Sequence, residues 1–271
     1  MDYFSYPLDT KALLRKRLAI KNELLQQDVN WITEKVAVLG GSTTNEVVGQ
    51  LELFLLHYGI RAEFYQSEYG KYMEDALFEN PELKAFNPDI VYIHTSWRNI
   101  RELPTPSCSE AEITEMFKEE YARFERIWES ISEKYGCIII QNNFDRPNYR
   151  LLGNKDVSDI HGRTNYISRL NQKFYEYSQK HHDFFINDID FVASDFGLSR
   201  WSDSRYWYMY KYAMCLEAIP YVAHSVAKII KSIYGKNKKA LILDLDNTVW
   251  GGIVGDDGVE GIAVGPEIPN G

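Results

Sequence analysis

Asp244 and Asp246 lie two residues apart at the end of the run Lys239-Ala240-Leu241-Ile242-Leu243-Asp244-Leu245-Asp246-Asn247-Thr248. The apolar stretch before them reads as a strand buried on both faces of a parallel sheet, and its C-terminal end is where open α/β sheets hold ligands. Side chains alternate along a strand, so the two carboxylates point to one side and can share a divalent cation or a substrate. Such a pair suits phosphoryl transfer, one carboxylate attacking phosphorus while the other moves a proton. The competing reading is a solvated turn rich in Asp and Gly.

A second set lies near the N-terminus. Lys35-Val36-Ala37-Val38-Leu39 reads as a buried strand, and Gly40-Gly41-Ser42-Thr43-Thr44-Asn45 as the turn into a helix. The Ser42 hydroxyl would sit at that helix N-terminus, where backbone N–H groups can hold an oxyanion. Polar residues also follow each later strand: Glu68-Tyr69-Gly70, His94-Thr95-Ser96-Trp97-Arg98-Asn99, Gln141-Asn142-Asn143 and Asn187-Asp188. Arg98 can clamp a phosphate or carboxylate, whereas Arg146 and Arg205 read as loop arginines paired with acids. His94 reads first as a hydrogen-bonded strand-end residue, and second as a base for Ser42 with Asp203 or Asp188 to orient it. His57 and His224 read as helix packing, and His161, His181 and His182 as surface. The aromatic run Tyr206 to Tyr212 reads first as core packing, and second as a partner surface.

The elements that must position these groups alternate. A leading helix is predicted from Thr10 to about Asp28, and further strands at Ala62–Gln66, Asp89–Ile93, Cys137–Ile140 and Asp183–Asn187. Helices are predicted after Thr44, over Ser109–Lys134 with Gly136 closing it, from His161 to Lys180, and over Tyr221–Tyr234. This order predicts an α/β fold: a doubly wound parallel sheet with flanking helices, three-layered and flavodoxin-like. The predicted boundaries are an α/β domain over 1–235, a basic linker over 236–239, and the start of a second α/β domain over 240–271.

Net charge bounds the partners. With 30 Lys and Arg against 39 Asp and Glu the chain carries −9, which argues against a nucleic-acid backbone. The sequence shows no pattern of a secretory leader and no apolar run long enough for a membrane span, so neither secretion nor a span is expected, and its three cysteines lack metal-like spacing. A cytoplasmic location is expected.

Asp244-Leu245-Asp246-Asn247-Thr248, with Trp250-Gly251-Gly252 and Gly255-Asp256-Asp257-Gly258-Val259, resembles the first motif of haloacid-dehalogenase-like phosphotransferases, and among them the FkbH-like family. That resemblance implies Asp244 as the phosphoryl-accepting nucleophile, Asp246 as general acid/base and Mg²⁺ as cofactor. It implies that the chain is the N-terminal part of a longer protein. Family members transfer a glyceryl group from a phosphorylated three-carbon donor to an acyl carrier protein, in polyketide or surface-polysaccharide pathways. Gly40-Gly41-Ser42 is similar to the first block of SGNH (GDSL-like) hydrolases, with Gly41 where that family has Asp. On that likeness Gly70 and Asn99 supply oxyanion donors, and Ser202-Asp203-Ser204-Arg205-Tyr206-Trp207 matches the fifth block with its Asp but not its His. Three readings follow: a Mg²⁺-dependent Asp-nucleophile phosphotransferase, a Ser42 esterase or deacetylase, and a non-catalytic binding module.

Overall fold

The computed structural model describes residues 3–264, so the last seven residues of the predicted second domain lie outside the described ones. The chain divides into two compact units, residues 1–234 and 235–271.

The first unit is built on five parallel strands: β1 (Ile32–Gly40), β2 (Ile60–Gln66), β3 (Ile90–His94), β4 (Ile138–Asn142) and β5 (Phe184–Asn187). Their order is β2-β1-β3-β4-β5, the doubly wound arrangement predicted from the alternation. Between them run α1 (Thr10–Arg15) and α2 (Arg17–Leu25) before the sheet, then α3 (Asn45–His57), α4 (Tyr72–Leu77), α5 (Pro81–Phe86), α6 (Glu110–Tyr135) and α7 (Arg163–Ser178). After β5 come α8 (Ile189–Phe196), α9 (Leu198–Trp201), α10 (Ser204–Tyr210) and α11 (Ile219–Ile233).

The period-2 alternation of a strand divides the core into two layers. Val36 and Val38 turn to the layer filled from α3, α8 and α11, whereas Ala37 and Leu39 turn to that filled from α4, α6 and α7. Trp128 of α6 is fully buried in the second layer, its indole N–H donating to Gln141 Oε1 at 2.9 Å, which ties the helix to the end of β4. The ends of α6 are set chemically. Ser109 and Glu112 form a reciprocal capping box, and Gly136 takes the left-handed φ of 57° that a helix C-cap favours in glycine.

Three expectations change. The leading helix is two helices broken at Lys16. No residue of α10 is buried, and Tyr208 is 75% exposed, so the part of the aromatic run on α10 is not core packing, whereas Tyr212 beyond it is half-buried against the layer of α3, α8 and α11. In the second unit, residues 239–243 form no strand and Ile242 is 94% exposed. A strand needs neighbours for its N–H and C=O groups, and no described segment pairs with this one. The second unit instead holds bridges Asp246–Trp250 and Gly251–Ala263 and α12 (Val254–Gly261), interrupted at Gly258. Among the described residues, no helix is long and apolar enough to cross a membrane.

Candidate functional site

The loops after β1, β3, β4 and β5 gather the buried polar residues at the C-terminal edge of the sheet, including Ser42, His94, Ser96, Asn142, Asp145 and Asn187. Ser42 is buried beside a cavity of about 270 Å³ that Gln66, Ser67 and Glu68 also line. Its Oγ has no hydrogen-bond partner, and neither does His94 Nε2, so the two are not bonded to each other.

His94 is held by its other nitrogen. Nδ1 lies 2.8 Å from the Tyr92 hydroxyl and 3.2 Å from Asn142 Nδ2, while Asn187 Nδ2 donates to Asn142 Oδ1 at 2.7 Å. Complete burial drives the His94 pKa from 6.5 down to about 4, because the imidazolium has no water and no carboxylate to stabilise it. The ring is therefore neutral at physiological pH.

The groups that the SGNH likeness makes oxyanion donors are engaged internally. The Gly70 N–H donates to Gly40 O at 3.2 Å, and Asn99 Nδ2 to Gly41 O at 2.8 Å, while Asn99 Oδ1 accepts from Ser96 N–H at 3.0 Å. This also accounts for Gly41. A Cβ there would come within 2.6 Å of Asn99 Cγ, so the carboxamide fills the space that an aspartate at 41 would need. Gly41→Ala should therefore lose about 1–3 kcal/mol through overpacking, and Asn99→Ala should relieve most of that loss in a double-mutant cycle read by denaturant unfolding. Additive losses would show that the contact is not the constraint.

Asp203 faces no imidazole. Both its oxygens engage Arg205, at 2.7 Å for the closest pair, and the side-chain hydrogen bonds from Arg205 hold its pKa below the usual carboxylate value. Arg146 pairs with Asp190 at 2.7 Å.

The residue that sequence reasoning missed is Asp145, fully buried just beyond β4. Oδ1 accepts the Trp97 backbone N–H at 3.0 Å, and Oδ2 the Trp201 indole N–H at 2.6 Å. Burial raises its pKa to about 6, opposed by these donors and by the charge of Arg98. Its only signal in the sequence was a position three residues past the β4 end. It fixes the loop carrying Arg98, whose guanidinium carbon lies 4.7 Å from the Trp97 ring and 4.6 Å from the Trp207 ring.

In the second unit Asp246 Oδ1 accepts from Trp250 Nε1 at 3.0 Å and from Val254 N–H at 3.2 Å, while Asp244 Oδ1 accepts from Leu245 N–H at 2.9 Å. Two hard carboxylates fit Mg²⁺ in kind, since that ion is commonly held by one or two carboxylates completed by water and phosphate oxygens. Among the described residues, no group of three or more His, Cys, Asp or Glu is gathered into a cage.

A five-stranded parallel sheet in this order, with its polar groups at the strand ends, defines a doubly wound α/β domain. Residues 35–231 match the family described as FkbH, N-terminal domain, and the chain belongs to that family. The sequence has no significant match among curated proteins. Among solved structures, it is similar to the N-terminal part of the protein BF1531 from Bacteroides fragilis, containing a phosphatase domain and complexed with Mg. The TM-score is 0.79 at 25% identity, covering 93% of this chain but 66% of that one. It also aligns with the C-terminal catalytic domain of Streptococcus pneumoniae peptidoglycan O-acetyltransferase A with a methylsulfonyl adduct (TM-score 0.44, 14% identity, 78% of this chain and 100% of that one). A GDSL-like lipase from Bacteroides thetaiotaomicron aligns at TM-score 0.43 and 10% identity, over 83% and 98% of the two chains.

Proposed function

We propose that this chain is the N-terminal part of an FkbH-like phosphotransferase whose sheet unit recognises a substrate or carrier without reacting with it, the chemistry belonging to the segment that begins at Asp244. The observation that carries this reading is that Ser42 Oγ and His94 Nε2 are both buried and both unpartnered, so the serine has no base. The engagement of Gly70 N–H and Asn99 Nδ2 within the chain supports it further, because both proposed oxyanion donors already have acceptors.

In the complete protein an Asp244 carboxylate oxygen attacks the phosphorus of a phosphorylated three-carbon donor. The bond from phosphorus to the leaving oxygen breaks, and Asp246 delivers a proton to that oxygen. Asp244 and Asp246 are the residues that would hold Mg²⁺, which would supply neutralising charge to a phosphoryl group there. Water then hydrolyses the phosphoryl group from Asp244, and in a separate step the thiol of an acyl carrier protein attacks the acyl carbon of a donor activated as an acyl phosphate, forming the glyceryl thioester as that phosphate leaves. The BF1531 structure, with its phosphatase domain and Mg, supports this assignment by similarity.

In a carrier-loading assay with the complete protein, Asp244→Asn should abolish transfer while Ser42→Ala stays within about twofold of wild type. Loss of transfer in Ser42→Ala, with Asp244→Asn active, would reverse the assignment.

A further inference from the structure

A cavity of about 850 Å³ opens beside Arg98 between the loop after β3 and α10. Its volume falls in the range of about 300–1,000 Å³ typical of sites for small organic ligands, well beyond what a bare inorganic anion needs. Tyr149, Tyr206 and Tyr208 line it together with Arg98, Arg200 and Arg205.

The three arginines differ in what occupies them. Arg205 is neutralised by Asp203, and Arg200 donates to the Phe196 carbonyl. Arg98 makes no side-chain hydrogen bond and no ion pair with any described residue, and its Nε is buried without a partner. The carboxylate whose charge acts on it is the buried Asp145, whose two oxygens already accept from Trp97 and Trp201. Contacts of its guanidinium carbon with two indoles, at 4.7 and 4.6 Å to their ring centroids, restrain the side chain, so little rotamer entropy remains to be lost on binding. What remains available is its N–H edge, a planar fork that matches a two-oxygen acceptor.

We propose that this cavity binds a small organic oxyanion, its phosphate or carboxylate clamped by the edge of Arg98 and its carbon body against the tyrosines. The inference rests on the sheet unit being a recognition module and names what that module recognises.

The test uses the full chain, with glycerol 3-phosphate and glycerate as separate probes to distinguish phosphate from carboxylate, read by the indole N–H signals in NMR titrations. Saturable shifts of Trp97 and Trp207 with either probe, and none at the core residue Trp128, are expected. Arg98→Lys keeps the charge but loses the fork, and should weaken binding about tenfold or more. The absence of saturable shifts with both probes would overturn the proposal, as would unchanged affinity in a folded Arg98→Lys chain. Should that variant misfold, the wild-type titration decides. The two readings fail separately: a Ser42-dependent covalent adduct alongside Arg98-dependent shifts removes the module reading and keeps the site, whereas neither adduct nor shifts does the reverse.

Discussion

Asp145→Ala is expected to destabilise the chain by about 3 kcal/mol at neutral pH, because it leaves one buried and one half-buried donor without acceptors. The Trp97 backbone N–H and the Trp201 indole N–H both end on this carboxylate, and its charge acts on Arg98. The effect is pH-dependent with a definite sign. Burial raises the folded pKa from 3.8 to about 6, so below about pH 6 the folded wild type holds a proton that the unfolded chain has released. Wild-type stability gains from that proton as the pH falls, and the alanine variant cannot, so the deficit should widen by about 2 kcal/mol towards pH 4. Denaturant unfolding at several pH values measures it. A deficit that narrows on acidification would show that Asp145 does not bear the buried charge.

His94 should act in the opposite direction. Its folded pKa lies near 4 against 6.5 in the unfolded chain, so the stability of the neutral buried ring is present above about pH 6.5 and is lost as the pH falls towards 4. The difference of about 2.5 units corresponds to about 3 kcal/mol. His94→Gln removes the titration, and the stability of wild type relative to this variant should fall by that amount between neutral pH and about pH 4. A pH-independent difference would mean that the ring titrates alike in the folded and unfolded chains, so that burial does not destabilise its protonated form.

The sheet was legible because its strands are short apolar runs. Val36 to Leu39, Ile90 to Ile93 and the pair Ile139 and Ile140 are buried on both faces, as continuous hydrophobicity requires. The limits of α6 were legible too, since Ser109 and Gly136 are local signals of helix ends. What stayed hidden depends on residues far apart in sequence. Gly41 is explained only by Asn99, 58 positions away, and Asp145 by Trp97 and Trp201, 48 and 56 positions away. Arg98 was singled out by its polar neighbours, but Trp207, which completes its setting, belongs to a run read as core. The run before Asp244 failed differently. Its residues have strand character, yet strand formation is a property of pairing, and no described segment pairs with it.

The most direct test of a sheet unit that recognises without reacting is intact-mass analysis of the full chain after exposure to a fluorophosphonate, with Ser42→Ala as control. The expected result is no adduct that depends on Ser42, because the buried hydroxyl has neither an imidazole to take its proton nor an uncommitted donor at Gly70. A single stoichiometric adduct on wild type that disappears in Ser42→Ala would contradict it and place hydrolytic chemistry in the sheet unit.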